Sequence, residues 1–268
     1  MLNNNQISIL IDGVRKASDI VLGYYKNPHL RITNKEDQSP VTEADLASHH
    51  FIGNLLEREF PGIPLISEEA ISQDYSIRRD HQYSWILDPL DGTKEFIAAN
   101  GEFAINLALL ENDRPVFGII SIPAKSLIYW ALKGHGSWKT GSDGRTQKLP
   151  LHTTNHQETR RIKALISRSH SGDAEKLFLK KLEDMGWKIE VCPAGSSYKH
   201  VLLAEGAAHL YAKPGKCWEW DTAPGQIILE EAGGKVVRMD SGAPLIYNKE
   251  NLLNPDLIMW APGVFIPL

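Results

Sequence analysis

Apolar and polar positions along this chain change period several times, and each change marks an element. Ile7, Leu10, Ile11, Val14, Ala17, Val21 and Tyr24 recur at helical spacing. That stripe predicts an opening amphipathic helix packed on a core. Residues 31–40 are polar and rich in breakers and read as a loop. A second helix is predicted from Thr42 to Glu59, closed by Pro61-Gly62. The unbroken apolar runs at 63–66 and 83–87 read as buried strands. Segments 103–110, 116–122 and 127–132 read as successive strands, with Glu111-Asn112-Asp113-Arg114-Pro115 turning between the first two. The Gly-rich stretch 134–145 reads as strand ends and turns. Beyond it the pattern is strand (163–167), helix (174–185), strand (188–191), helix (197–205), strand (209–212), then helix and strand again. Such alternation favours an α/β layer, whereas the first half is closer to α+β. The division predicts two halves, 1–156 and 157–268.

The element boundaries carry the candidate chemistry. Asp88-Pro89-Leu90-Asp91-Gly92-Thr93 follows the strand at 83–87, so two carboxylates sit where that strand is expected to end. Gly92 permits a sharp turn and Thr93 supplies a hydroxyl. Hard divalent cations match the charge density of such carboxylate and carbonyl oxygens. Three further acidic segments answer this one. Ser67-Glu68-Glu69 closes the run at 63–66. Trp220-Asp221-Thr222-Ala223 opens a helix-like run, 224–232, with Asp221 suited to the N-cap and Pro224 to the first turn. Val41-Thr42-Glu43-Ala44-Asp45 starts the second helix, with Thr42 and Asp45 at capping-box spacing. Taken singly, each fits a plain structural role: strand-end acids are often solvated, and helix-start acids often cap. Together they make an acid set that can close on two or more cations.

Composition narrows the partners. The 268 residues can bury a sizeable core. The formal net charge is -4 and no basic run appears, which argues against extended nucleic-acid binding. Cys192 and Cys217 form no metal-ligand pattern; one disulfide is arithmetically possible, and two reduced thiols is the simpler reading. The first six residues are polar and show no signal-peptide pattern. No apolar run approaches the roughly 20 residues that span a bilayer. The expectation is a cytoplasmic protein of unknown oligomeric state, with peripheral attachment to the inner face of the inner membrane left open.

The motifs V-T-E-A-D, S-E-E, D-P-L-D-G-T-K-E-F and W-D-T-A, in this order, resemble the inositol monophosphatase superfamily of magnesium-dependent, lithium-sensitive phosphomonoesterases. Lys94-Glu95-Phe96, Asn100-Gly101-Glu102-Phe103, Ile166-Ser167-Arg168-Ser169-His170 and Gly195-Ser196-Ser197-Tyr198-Lys199 resemble its 3'(2'),5'-bisphosphate nucleotidase branch, whose bacterial members are linked to sulfate assimilation. The resemblance implies a layered αβαβα sandwich of the sugar-phosphatase type. It implies metal ligation by Glu68, Asp88, Asp91 and Asp221 side chains and by the Leu90 carbonyl. Two or three Mg2+ ions are expected, with Mn2+ as a substitute. Asp45 and Thr93 would orient and deprotonate the attacking water, with Glu68 the competing base. Substrate contacts are expected from Glu68, Leu90, Asp91, Gly92, Thr93, His170, Ser196, Lys199 and Asp221. The implied reaction removes the 3'-phosphate of 3'-phosphoadenosine 5'-phosphate, giving AMP and phosphate. Lys94 reads as a guard of the site, a substrate contact or a plain surface lysine, Lys213 as a further contact for the 5'-phosphate, and Lys35 as a solvated loop lysine before a screen for a third metal or the phosphate. Two other readings stay open: a phosphatase of the same family acting on inositol or other sugar phosphates, and a non-catalytic metal- or nucleotide-binding protein on the same framework. An EF-hand is excluded, because Asp88-x-x-Asp91-Gly92 lacks the required spacing and distal Glu.

Overall fold

The computed structural model describes residues 2–27, 29–34, 40–70, 75–152, 160–169 and 172–264. Lys35 and the expected boundary at 156/157 lie outside the described residues. Helix α1 (Asn4–Tyr24) buries the predicted stripe. Helix α2 (Glu43–Glu59) packs on it and buries Ile52, Leu55 and Leu56, and a one-turn helix, α3 (Tyr75–Arg78), precedes the strand at 83–91. Helices α1 and α2 lie on a seven-stranded sheet made of β3 (Leu65–Ser67), β4 (Tyr83–Asp91), β5 (Ala104–Glu111), β6 (Arg114–Ile122), β7 (Leu127–Leu132), β8 (Gly136–Thr140) and β9 (Thr146–Lys148), in that order. Only β3 and β4 run parallel. The apolar face of the helix pair and the near face of this sheet share a core that includes Leu10, Val14, Trp85, Leu87 and Phe117.

The far face of that sheet is covered by α6 (Tyr198–Glu205) and α7 (Glu219–Glu231), which also pack on a second sheet. That sheet has five strands in the order β11 (Lys188–Ala194), β10 (Arg161–Ser167), β12 (Leu210–Lys213), β14 (Leu257–Trp260), β13 (Lys235–Arg238). Helix α5 (Asp173–Asp184) covers its outer face, sharing a smaller core of Ile162, Leu179, Leu182 and Ile258. The order of layers is therefore helices, sheet, helices, sheet, helix, the αβαβα sandwich. One large core joins both halves of the chain, from Ile86 and Ile120 to Ile227 and Met259. A strand covered on both faces must be apolar throughout, which is why β4 is a continuous run and not an alternating one.

Four local expectations are corrected. Residues 31–40 hold a short antiparallel ribbon, β1 (Ile32–Asn34) with β2 (Pro40–Thr42); it rests on backbone pairing, so its side chains carry no period, and 35–39 lie outside the described residues. The stretch 134–145 contains a true strand, β8, paired on both edges. Strand β4 continues past Leu87 through Asp91. Asp88 pairs with Asn106 and Asp91 with Ala104, so β4 carries one extra residue, a bulge at Pro89-Leu90. A bulge suits Pro89, which has no N–H to give to a ladder. Finally, Asp221 is the third residue of α7, not its N-cap, and Pro224 lies inside the helix. Trp218 occupies the cap, and Asp221 reaches back to its N–H. Both cysteines are free thiols.

Candidate active site

The bulge in β4 aims the two acids of the D-P-L-D segment at the N-terminus of α7. Oxygens of Asp88, Asp91 and Asp221 lie within 4.8 Å of one another. Each of these carboxylates spends one oxygen on the protein. Asp88 Oδ1 accepts the Leu90 N–H at 3.0 Å. Asp91 Oδ2 accepts the Ser197 N–H and Asn106 Nδ2. Asp221 Oδ2 accepts the Trp218 N–H at 2.8 Å and the Cys217 thiol at 3.4 Å. The other oxygen of each has no protein donor among the described residues. Three leftover carboxylate oxygens in one cluster, buried at Asp88 and half-buried at Asp91 and Asp221, are a hard-cation donor set.

Electrostatics agree. Burial, then Glu68, Asp91 and Asp221, raise the Asp88 pKa far above the carboxylate range. Burial, then Asp91 and Glu68, push Asp221 up to about 8. Burial also raises Asp91, against the opposing effect of the Ser197 and Lys199 contacts. Like charges held this close without a counter-ion resist ionisation, and a divalent cation reverses that resistance. Glu68 follows β3, where its N–H bonds the Leu87 carbonyl at 3.1 Å. Its side chain stands outside the tight trio but lines the same cavity and repels Asp45, Asp88 and Asp221.

Gly92 caps the short helix α4 (Thr93–Ile97) at φ 84°, a conformation that costs glycine nothing and strains any other residue. This turn puts Thr93 Oγ1 3.3 Å from both Asp45 Oδ1 and the Leu90 carbonyl, so one hydroxyl proton has two acceptors. Leu90 itself is buried, and only its backbone faces the polar groups. Asp45 also closes the expected capping box: its Oδ2 accepts the Thr42 N–H at 2.8 Å and the Thr42 hydroxyl at 2.6 Å. Burial raises the Asp45 pKa to about 6 despite those bonds.

A cavity of about 310 Å3 opens from this centre. Glu68, Asp91, Asp221, Ser196, Lys199 and Lys213 all line it. Lys199 is deeply buried and donates to the carbonyls of Ser196 at 2.8 Å and Ala194 at 3.3 Å. Burial lowers its pKa, with Asp91 and Glu95 opposing. Lys94 is exposed beside Thr93. His170 lies outside the described residues, so the structure gathers every expected site residue except that one. Sequence reasoning missed the supports. Asn106 donates to Asp91 at 3.3 Å and to Ser197 Oγ at 2.8 Å. It is a polar interruption in the apolar strand β5, and that interruption is the signal that marks it. Cys217 and the Trp218 N–H, which fix Asp221, left no signal beyond adjacency.

A layered α/β sandwich with a carboxylate-lined cavity at one bulged strand defines the class: a protein built to hold hard cations beside a small polar ligand. A sequence profile described as the inositol monophosphatase family matches residues 3–262, and the chain belongs to that family. It is 37% identical over 243 residues to the 3'(2'),5'-bisphosphate nucleotidase CysQ of Escherichia coli O6:H1, covering 90% of this chain and 94% of that protein. The Haemophilus influenzae protein of the same name is 35% identical, over 94% of this chain and 90% of its own. The crystal structure of CysQ from Bacteroides thetaiotaomicron superposes with a TM-score of 0.84 at 36% identity, covering 95% of this chain and 96% of that one. A Thermotoga maritima IMPase shares the fold, with a TM-score of 0.78 at 21% identity over 97% and 93% of the two chains.

Proposed function

We propose that this protein is a divalent-metal-dependent phosphomonoesterase that removes the 3'-phosphate of 3'-phosphoadenosine 5'-phosphate, giving AMP and phosphate. The observation that carries this reading is the continuity of one cavity. Asp91 and Asp221 of the acid cluster line it together with Ser196, Lys199 and Lys213. The acids suit cations that face a scissile phosphate. The hydroxyl and ammonium groups suit a second phosphate. The similarity to proteins named 3'(2'),5'-bisphosphate nucleotidase supports the same substrate class.

Glu68, Asp88, Asp91, Asp221 and the Leu90 carbonyl would hold two or three magnesium or manganese ions. When bound, the ions neutralise the phosphoryl charge and acidify water. Asp45 and Thr93 act as a pair: Thr93 holds the attacking water, and Asp45, already the acceptor of that hydroxyl, takes the proton. A threonine alone is too weak a base. The Gly92 and Thr93 N–H groups hold phosphoryl oxygens, and Ser196 and Lys199, with His170, hold the nucleotide portion. The test is phosphate release from 3'-phosphoadenosine 5'-phosphate and from inositol 1-phosphate, each with and without magnesium. Magnesium-dependent release with preference for the nucleotide is expected. Preference for inositol 1-phosphate would overturn the substrate, and full rates in excess chelator would overturn the metal chemistry.

A further inference from the structure

Glu95, Glu102, Arg168 and Ser169, from segments that the sequence set apart, have no place in the chemistry above, and the structure brings them together. Glu102 lies in the loop between α4 and β5. Its carboxylate takes Arg168 side-on as a fork, Nε to Oε2 and Nη2 to Oε1, both at 2.8 Å. The same Oε2 accepts the Gly195 N–H at 2.7 Å. Arg168 Nη2 reaches the Pro193 carbonyl at 3.0 Å. Beside this pair, Ser169 Oγ donates to Glu95 Oε1 at 2.5 Å. K-E-F and N-G-E-F, from the first half, thus grip S-R-S and G-S-S, from the second.

The grip holds a loop that borders the metal centre. Gly195 passes so close that a Cβ there would meet Glu95 Cγ at 2.5 Å. Two residues on, the Ser197 N–H bonds Asp91 Oδ2, and Ser197 Oγ bonds the Asp221 carbonyl at 3.1 Å. Between them Ser196 sits at φ 45°, a left-handed conformation that a serine adopts only when its surroundings impose it. Bidentate Arg–carboxylate pairs fix geometry as well as adding energy. Burial alone would raise the Glu102 pKa; the Arg168 and Gly195 bonds outweigh it and hold it low, so the carboxylate is ionised at neutral pH.

We propose that the Glu102–Arg168 pair, seconded by Ser169–Glu95, is a specificity latch: it positions the Gly195–Ser197 loop as the wall that receives the second phosphate of a bisphosphorylated nucleotide. Glu102 and Arg168 are positioning residues, acting through the loop. The inference rests on the nucleotidase reading of the cavity and adds residues to which the reaction itself gives no role.

The test uses Glu102→Gln, Arg168→Met and the double variant, with 3'-phosphoadenosine 5'-phosphate and 3'-AMP as a matched pair differing only in the 5'-phosphate. Binding of AMP is measured in parallel by calorimetry with calcium. Loss of a hydrogen bond to a charged group corresponds to roughly a tenfold change. Each single variant is expected to weaken AMP binding and raise KM for the bisphosphate about tenfold, with kcat far less affected. The ratio of kcat/KM for the bisphosphate to that for 3'-AMP should fall by the same factor. The double variant should be no worse than the poorer single, because both break one unit. Equal losses on both substrates, unchanged AMP affinity, or multiplying single effects would overturn the latch. Failure of the nucleotidase reading looks different: the wild type itself would neither bind AMP nor hydrolyse the bisphosphate. Should Arg168→Met fail to fold in a thermal melt, Ser169→Ala removes only the Glu95 contact. It is expected to weaken AMP binding about threefold at an unchanged melting temperature, and wild-type affinity there would sink the proposal.

Discussion

The acid cluster and the neighbouring 195–199 segment solve opposite problems. In the cluster, three carboxylates face each other with one oxygen apiece unclaimed by the protein. In the segment the polar groups have protein partners: Lys199 donates to two carbonyls, and the Gly195 N–H to Glu102. The acids resist ionisation side by side and are matched to cations. The segment is a held wall whose shape and charge do the selecting. Changes in the cluster should therefore show in turnover and in metal-linked stability. Changes in the segment should show in affinity and in choice of substrate.

Asp91→Asn strikes the acid cluster hardest. It should cost turnover on the order of a hundredfold or more at ordinary magnesium, because metal support is lost. In chelator at pH 8 its melting temperature should be no lower than that of the wild type, since a buried charge has been removed. A variant of near-normal rate would make Asp91 a turn residue only. Asp45→Asn comes next. It should lower kcat by about a hundredfold or more with little change in KM, while the wild type loses activity as pH falls through about 6, where Asp45 takes up a proton. An acid limb that survives in Asp45→Asn would shift the role of base to Glu68.

Lys199→Ala sharpens the other side. Loss of a cation facing a dianionic phosphate should raise KM for the bisphosphate about tenfold, with inositol 1-phosphate spared. Because Lys199 also ties down the carbonyls of Ala194 and Ser196, equal losses on both substrates would reassign it to holding the loop. The smallest effect is in stability. Asp221 has a folded-state pKa raised from 3.8 to about 8, so between those values the folded state binds the extra proton. Stability in chelator should therefore fall steadily as pH rises across that window, and level off above it. Magnesium at a hundred times its dissociation constant should restore about 2.7 kcal/mol and flatten the slope. Calorimetric melts with and without magnesium check the sign.

Much was legible before any coordinates. Helices α1 and α2, the run of strands from 103 to 132 and the alternation of the second half follow from period alone. A buried face imposes its spacing on the residues that fill it. The acid segments were legible because carboxylates at element ends are few and chemically distinctive, and the capping box at Thr42 was read from spacing that depends only on local backbone. The bulge in β4 was not, since the register of Asp88 and Asp91 is set by β5 and not by their own neighbours. Nor was the true start of α7, where Asp221 works as the third helical residue because the Trp218 N–H needs an acceptor.

The order of residues sets which groups this protein can bring to a phosphate ester: its acids, Thr93 beside Gly92, and the periods of its layers. Which of them meet is a property of the folded chain. Asp45, Asp91 and Asp221 are far apart along the chain, and Glu102 meets Arg168 across 66 positions. Such contacts are chosen by the packing of two sheets about one helical layer, which buries a common core and leaves the ends of separate elements facing one cavity. Local propensity is blind to that choice, because its energy lies in surfaces that are brought together only when the whole chain folds.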